Sequence, residues 1–272
     1  LTFSYVWIGS MEERHHSYVI KTVTEIGRGG FGFVEKVELY TASGNKCGDY
    51  AKKVLCPADG VSKEEFHRRF QREVVYQARC VHPNIAPVYL HNLHQDSPWF
   101  VMDLAISDLS SDLASGKLDN SQKMRIAEML LSGVHYMHTT RGEEYNRKPC
   151  YLHRDLKPSN ILNFGNGIYK ISDFGLVKNA DKDNPASEIL TKVATKMGTG
   201  KYMAPEIEAA GVYSVQTDIF ALGVIIDEMN FDNIAGIRDL VDKCTAWRPA
   251  NRFNSVEEIT QELASIKKRN KI

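Results

Sequence analysis

The chain lacks most of what would tie a protein to a membrane, a nucleic acid or an oxidising compartment. It has no net charge: Lys plus Arg and Asp plus Glu number 34 each. No overall field therefore draws it to nucleic acid or to an anionic surface. No apolar run approaches the roughly eighteen residues of a membrane span; the longest, Ile219 to Ile226, holds eight. Cysteine is scarce, five in all and none in a CxxC pair. An odd, scattered set argues against a disulfide framework and against a thiolate metal site. A reducing, cytoplasmic location is the expectation, with nuclear residence left open. There is no internal repeat, no low-complexity block and no charged-then-apolar leader. Leu1 is not a start methionine, so the chain reads as a fragment. What is present is ordinary globular material, 272 residues with 43% apolar and 25% charged, enough for one large or two small domains.

The two halves differ in periodicity. Up to about residue 105, β-like runs alternate with turns: Tyr18 to Ile20, Phe33 to Leu39, Tyr50 to Leu55, Ala86 to Leu90 and Trp99 to Asp103. One amphipathic helix interrupts them, Lys63 to Cys80, with Phe66, Phe70, Val74 and Ala78 at four-residue spacing. Beyond residue 105 the pattern is helical. Met124, Ala127, Leu130, Leu131, Val134 and Met137 form a stripe, Ile219 to Met229 is a nearly all-apolar buried helix, and Val256 to Ile266 closes the chain. Short strands are expected at Ile161-Leu162 and Tyr169 to Ile171.

The strongest chemical signal is Tyr151-Leu-His-Arg-Asp-Leu-Lys-Pro-Ser-Asn160, followed by Asp173-Phe-Gly175. One loop holds a carboxylate, a lysine and a side-chain amide, with a second carboxylate just beyond. That set suits phosphoryl transfer: an acid to orient a hydroxyl, a cation for the moving phosphate, and oxygen ligands for magnesium. Upstream, Gly27, Gly29, Gly32 and Val34 make a GxGxxGxV loop, whose glycines admit phosphate oxygens close to the backbone. A dinucleotide-binding loop needs a helix directly after it. Here Phe33 to Leu39 alternates like a strand, so the loop should join two strands. In Tyr50-Ala-Lys-Lys53, strand parity puts Ala51 and Lys53 on one face and turns Lys52 away.

With HRDLKPSN, DFG and the glycine loop in one chain, the sequence resembles the eukaryotic-type protein kinases of the serine/threonine kind. The resemblance covers about residues 18 to 268. It implies an α+β, two-lobed protein-kinase fold: an extension at 1–17, a small antiparallel β lobe with one helix over about 18–103, and a larger, mainly helical lobe over about 106–268. It implies ATP and Mg2+ as cofactors, and protein hydroxyls as substrate. By this likeness Asp155 orients the hydroxyl and takes its proton, Lys157 neutralises charge on the γ-phosphate, and Asn160 with Asp173 ligates magnesium. Lys53 should reach the α- and β-phosphates, held by Glu73. Ile26, Gly27, Gly29, Gly32, Val34, Ala51 and Leu162 should enclose the nucleotide. Met102 falls at the gatekeeper position, with the backbone of Asp103 and Ala105 at the adenine edge. Thr195, and after it Thr191, are the candidates for an activating phosphosite, with Arg154 as part of the receptor. Asp218 resembles the aspartate that holds the catalytic-loop backbone, and Arg252 should pair with Glu206. Protein substrates are the expected partners, with no nucleic acid and no membrane span, and self-association for autophosphorylation stays open.

Three features depart from the family pattern. Gln77 stands, one turn after Glu73, where an aliphatic residue is usual, which should weaken the active arrangement unless it finds a partner. The loop from Thr139 to Cys150 is long and polar. Only one short helix, Ile234 to Val241, fits between the buried helix and the Cys244-to-Arg252 motif, so the substrate class is unreadable. Partial similarity to the translation initiation factor 2 kinases and to the mitogen-activated kinase kinases leaves the subfamily unassigned. A pseudokinase scaffold is the rival reading, although Lys53, Asp155, Asn160 and Asp173 are all present.

Overall fold

In the computed structural model, residues 12–29, 32–56, 63–140, 151–174, 178–179 and 200–272 are described. Thr191 and Thr195 lie outside these residues, as does most of the long polar loop. The chain divides into two compact units, 1–74 with 87–104, and 75–86 with 105–272.

The first unit is a six-stranded antiparallel sheet in the order β1-β2-β3-β4-β6-β5. Its strands are β1 Glu12–His15, β2 Tyr18–Gly29, β3 Gly32–Thr41, β4 Lys46–Leu55, β5 Leu90–Asn92 and β6 Trp99–Asp103. Glu12–His15, counted with the extension by sequence, pairs with β2 as a full sheet member. The strand expected at Ala86 to Leu90 begins only at Leu90. The Ala86 amide instead bonds the Ile171 carbonyl at 2.9 Å, and Pro87 has no amide to offer a ladder. Cross-strand register sorts the sheet into two faces. Ile20, Val37, Leu39, Val54, Trp99 and Val101 share one apolar cluster, while Val34, Lys53 and Phe100 lie abreast on the other. Phe70 of helix α1 (Lys63–Arg79) meets Phe100 on that second face, ring centroids 5.7 Å apart.

The second unit is mainly helical: α2 Leu109–Ala114, α3 Asn120–Thr139, α4 Pro205–Ala210, α5 Val215–Glu228, α6 Ile237–Cys244 and α7 Val256–Asn270. Helix α3 starts where Asp119 and Gln122 form a reciprocal capping box, satisfying two otherwise orphaned amides. The stripe read from the sequence is its buried face. Helix α6 begins three residues later than expected from the pattern. Asn230, Asn233 and Gly236 all have positive φ, so the chain turns repeatedly and enters the helix only after Gly236. Strands β7 Ser107–Asp108, β9 Ile161–Asn163 and β10 Tyr169–Ile171 form a small sheet, and β8 Tyr151–Leu152 pairs with β11 Lys178–Asn179.

Candidate active site

In the first unit, β2 and β3 make a hairpin that brings Gly27 opposite Val34 and Gly29 opposite Gly32. The loop joins two strands, as the alternation of Phe33 to Leu39 requires. The glycines differ in kind. A Cβ on Gly32 would lie 2.1 Å from the Val54 carbonyl oxygen, whereas Gly27 and Gly29 have open space around them. Gly32 is thus demanded by β4, and the other two keep the outer loop uncovered. Ile26 is exposed.

Strand β4 carries Lys53, whose Nζ donates to Glu73 Oε1 at 2.6 Å; Glu73 is buried. The predicted pair is made, and it joins strand to helix within one unit. Ala51 is buried and faces Met102 across the β4–β6 ladder. Asp103 accepts a hydrogen bond from the Tyr89 hydroxyl at 2.8 Å, and Ala105 begins the longer segment of the second unit. Lys52 does turn to the opposite face, but it is not solvated there: it pairs with Glu13 and is only 8% exposed.

In the second unit, a short 3-10 turn at Pro158–Asn160 folds the catalytic stretch back on itself. Lys157 Nζ lies 2.9 Å from Asp155 Oδ2, and Asn160 Nδ2 donates to the Asp155 carbonyl at 2.8 Å and to Oδ2 at 3.1 Å. The β9–β10 hairpin then brings Asp173 back to this turn. Ile171 faces Ile161, and the Ser172 amide donates to the Asn160 carbonyl at 2.9 Å. A spacing of thirteen residues in sequence thus closes to adjacency. Leu162 lies within β9, opposite Lys170 and Asp108.

His153 ties these pieces together. Its Nδ1 accepts from the Asp155 amide at 3.3 Å, so its Nε2 carries the proton and donates to the Ser172 carbonyl at 3.1 Å. Its ring meets Phe174 edge-on at 5.2 Å. Arg154 and Asp173 hold positive φ, 69° and 64°, a strained backbone of the kind that marks functional loops. Asp218 secures it: Oδ1 accepts from the Arg154 amide at 2.9 Å, and Oδ2 from the His153 amide at 2.9 Å and from His138 Nε2 at 2.8 Å. Burial alone would raise the Asp218 carboxyl, but the His138 contact and the Arg154 amide outweigh it and hold it below the usual range. His138 was invisible in the sequence, where nothing separates it from a surface residue at a helix end.

The Arg154 guanidinium stacks on Tyr213, 3.4 Å from the ring centroid. Its Nε has no hydrogen-bond partner among the described residues, and burial draws its pKa down. Arg252 reaches Glu206 through both carboxylate oxygens, at 2.7 and 2.8 Å, and its remaining N–H groups bond the carbonyls of Ala246, Gln216 and Trp247. All five guanidinium donors are used, which a lysine could not reproduce. Gln77 is fully buried and finds a partner for its amide, donating to the Ala86 carbonyl at 2.9 Å, whereas its Oε1 has none among the described residues.

The donor set fits magnesium. Asn160 turns its amide nitrogen to Asp155, which leaves the side-chain carbonyl as its ligand end, and Asp173 adds a carboxylate. These are hard oxygen donors, and magnesium commonly takes one or two from protein and the rest from water and phosphate. No group of three or more His, Cys, Asp or Glu suited to a metal occurs among the described residues.

Comparison with known proteins agrees with this geometry. Residues 20–236 match the protein kinase domain family, and the chain belongs to it. It is 27% identical over 89% of its length to a probable serine/threonine-protein kinase of Clostridium perfringens, covering 37% of that protein. Identity is 28% to the serine/threonine-protein kinase PrkC of Bacillus subtilis, over 74% of this chain and 31% of PrkC. It is 31% to the Arabidopsis thaliana receptor-like kinase TMK4, over 75% of this chain and 21% of that protein. The chain therefore spans well under half the length of these relatives.

Proposed function

We propose that this chain is an active serine/threonine protein kinase, transferring the γ-phosphate of ATP to protein hydroxyls with magnesium. The observation that carries the reading is the catalytic turn, in which Asp155 is held between Lys157 and Asn160 while the hairpin delivers Asp173 beside them. The names of its relatives, kinases of the serine/threonine type, support the same reading.

Each residue has a task under this proposal. With Oδ2 already accepting from Lys157 and Asn160, Asp155 offers Oδ1 to the substrate hydroxyl's hydrogen bond, orients the oxygen for attack and takes the proton late in transfer. Lys157 answers the charge that grows on the transferred group. Lys53, oriented by Glu73, holds the α- and β-phosphates. By the family likeness, Gly27, Gly29, Gly32, Ile26, Val34, Ala51, Met102 and Asp103 of the first unit, and Leu162 and Ala105 of the second, are the candidate nucleotide contacts. Asn160 and Asp173 would hold magnesium, which would supply charge neutralisation for the phosphates. Because little covalent work falls to the protein, most of the acceleration comes from positioning and electrostatics. Regulation by phosphate on Thr195 or Thr191 belongs to the same proposal. The buried Nε–H of Arg154, without a partner among the described residues, is suited to gain an anion. A cytoplasmic setting and trans-autophosphorylation extend the reading.

The test is incubation with magnesium and γ-labelled ATP, with and without a generic protein substrate, beside Asp155→Asn. Label on serine or threonine that falls about a thousandfold or more in the variant is expected. Nucleotide binding without any incorporation by the wild type would overturn the proposal in favour of a scaffold. Phosphopeptide mapping of the same sample reads out Thr195 and Thr191.

A further inference from the structure

Lys52 is an unusual residue to find where it is. By strand parity it lies on the apolar face of the sheet, flanked in β4 by Val54 and opposite Val101 of β6. Its ammonium sits 4.9 Å from the centroid of the Trp99 ring, and the side chain is about one-tenth exposed. A lysine so enclosed needs a counter-ion, because a buried unpaired charge is strongly destabilising. The counter-ion comes from β1. Glu13 Oε2 accepts from Lys52 Nζ at 2.8 Å, while Oε1 accepts from Trp99 Nε1 at 2.9 Å and Gln95 Nε2 at 3.0 Å. His15, two residues on along the same face of β1, meets Trp99 edge-on at 4.9 Å.

Successive lysines of β4 are therefore held from opposite faces. Lys53 is drawn to Glu73 of α1 on one side, and Lys52 to Glu13 of β1 on the other. The ladders to β3 and β6 already hold β4 along both edges, and the two ion pairs add a restraint on each of its faces, so together they set the local twist that decides where the Lys53 ammonium points. We infer that Glu13, acting through Lys52, is a positioning residue for Lys53, so that strand β1 clamps β4 in the orientation the phosphate-binding lysine requires. Lys53 has a phosphate to bind only if the kinase reading holds, and the inference rests on it to that extent. Glu13 touches no reacting group; its effect passes through the strand. Loss of the clamp lowers the fraction of molecules with Lys53 in place. Saturating nucleotide selects that fraction back, so KM should rise while kcat holds.

Four variants of the full chain test this: Glu13→Gln, Lys52→Met, Lys52→Arg and Glu12→Gln. The first two break the ion pair. Lys52→Arg keeps a cation and its stack on Trp99. Glu12→Gln removes the neighbouring surface pair with Lys21. Two readouts are taken, the KM and kcat for magnesium-ATP, and the rate at which Lys53 is labelled by an amine-reactive reagent without nucleotide. Glu13→Gln and Lys52→Met are expected to raise KM about three- to tenfold with kcat within about twofold, and to speed Lys53 labelling similarly. Lys52→Arg and Glu12→Gln should stay near wild type. The inference is overturned if Lys53 labelling is unchanged in Glu13→Gln and Lys52→Met, or if Glu12→Gln matches them. It is equally overturned if kcat falls with KM constant. A wild type that transfers no phosphate defeats the kinase reading instead, and Lys53 labelling still decides the clamp.

Discussion

At the scale of single residues, the buried polar groups explain why the catalytic stretch holds its shape. Asp218 is the clearest, since one carboxylate accepts three hydrogen bonds and spans two amides of a strained turn. Asp218→Asn keeps the shape but turns an NH2 group toward one of those donors, leaving a buried N–H unpaired, at a cost of about 3 kcal/mol. The pH dependence follows from the depressed carboxyl. A carboxylate whose folded pKa lies below its unfolded value contributes fully above the unfolded value and loses the contribution as pH falls through the folded one. Urea unfolding should thus show the full gap between wild type and variant at pH 7, narrowing below roughly pH 4. A gap that stays constant down to pH 3 would refute the assignment. Asp218, Lys53, Glu73 and the members of HRDLKPSN were legible because their family spacings are short and fixed. His138 and Glu13 were not, because each acts on a residue far away in sequence and sits in no motif.

At the scale of elements, helix boundaries followed the chemistry of their ends, and close packing followed glycine. Ser214 and Ser255 cap α5 and α7 with their side chains, as expected for residues that satisfy first-turn amides. Gly223 lies mid-helix in α5, where its flexibility is a disadvantage. A Cβ there would stand 2.4 Å from the Cys244 Cβ and 2.9 Å from a Thr245 methyl. Gly223→Ala should therefore destabilise by about 1–3 kcal/mol through overpacking, despite the better helix propensity of alanine. Chemical denaturation checks this, and a neutral or stabilising result would mean α5 and α6 separate easily. The apolar run of Ile219 to Met229 announced a buried helix but could not say what it meets. The late start of α6 shows the same limit, since positive φ at Asn230 and Asn233 leaves no periodic trace.

At the scale of the whole molecule, each unit has a core of its own, and each carries part of the set that phosphoryl transfer needs. Lys53, Glu73 and the glycine hairpin belong to one; Asp155, Lys157, Asn160 and Asp173 belong to the other. If the chain binds nucleotide through these residues, ligand should stabilise it by mass action, about 2.7 kcal/mol at a hundredfold excess over Kd. For a chain of this size that is a rise in Tm of about 5–10 °C. Differential scanning fluorimetry with magnesium-ATP should show it, and Asp173→Ala should remove the magnesium-dependent part. No shift at millimolar nucleotide would count against ATP as the ligand.

The sequence by itself determined the family and named the groups that the proposed phosphoryl transfer would use, because that chemistry needs particular groups at short separations that a linear motif can record. It also determined strand parity at Ala51 and Lys53, which depends only on the pleat. The tertiary structure alone decided what lies opposite each of them. Register placed Val34 and Phe100 beside Lys53, a hairpin carried Asp173 back to Asn160, and the first strand brought a carboxylate to a lysine enclosed among apolar side chains. Those pairings join residues 13 to 47 positions apart, and their energies come from burial and desolvation, which exist only once the chain has folded.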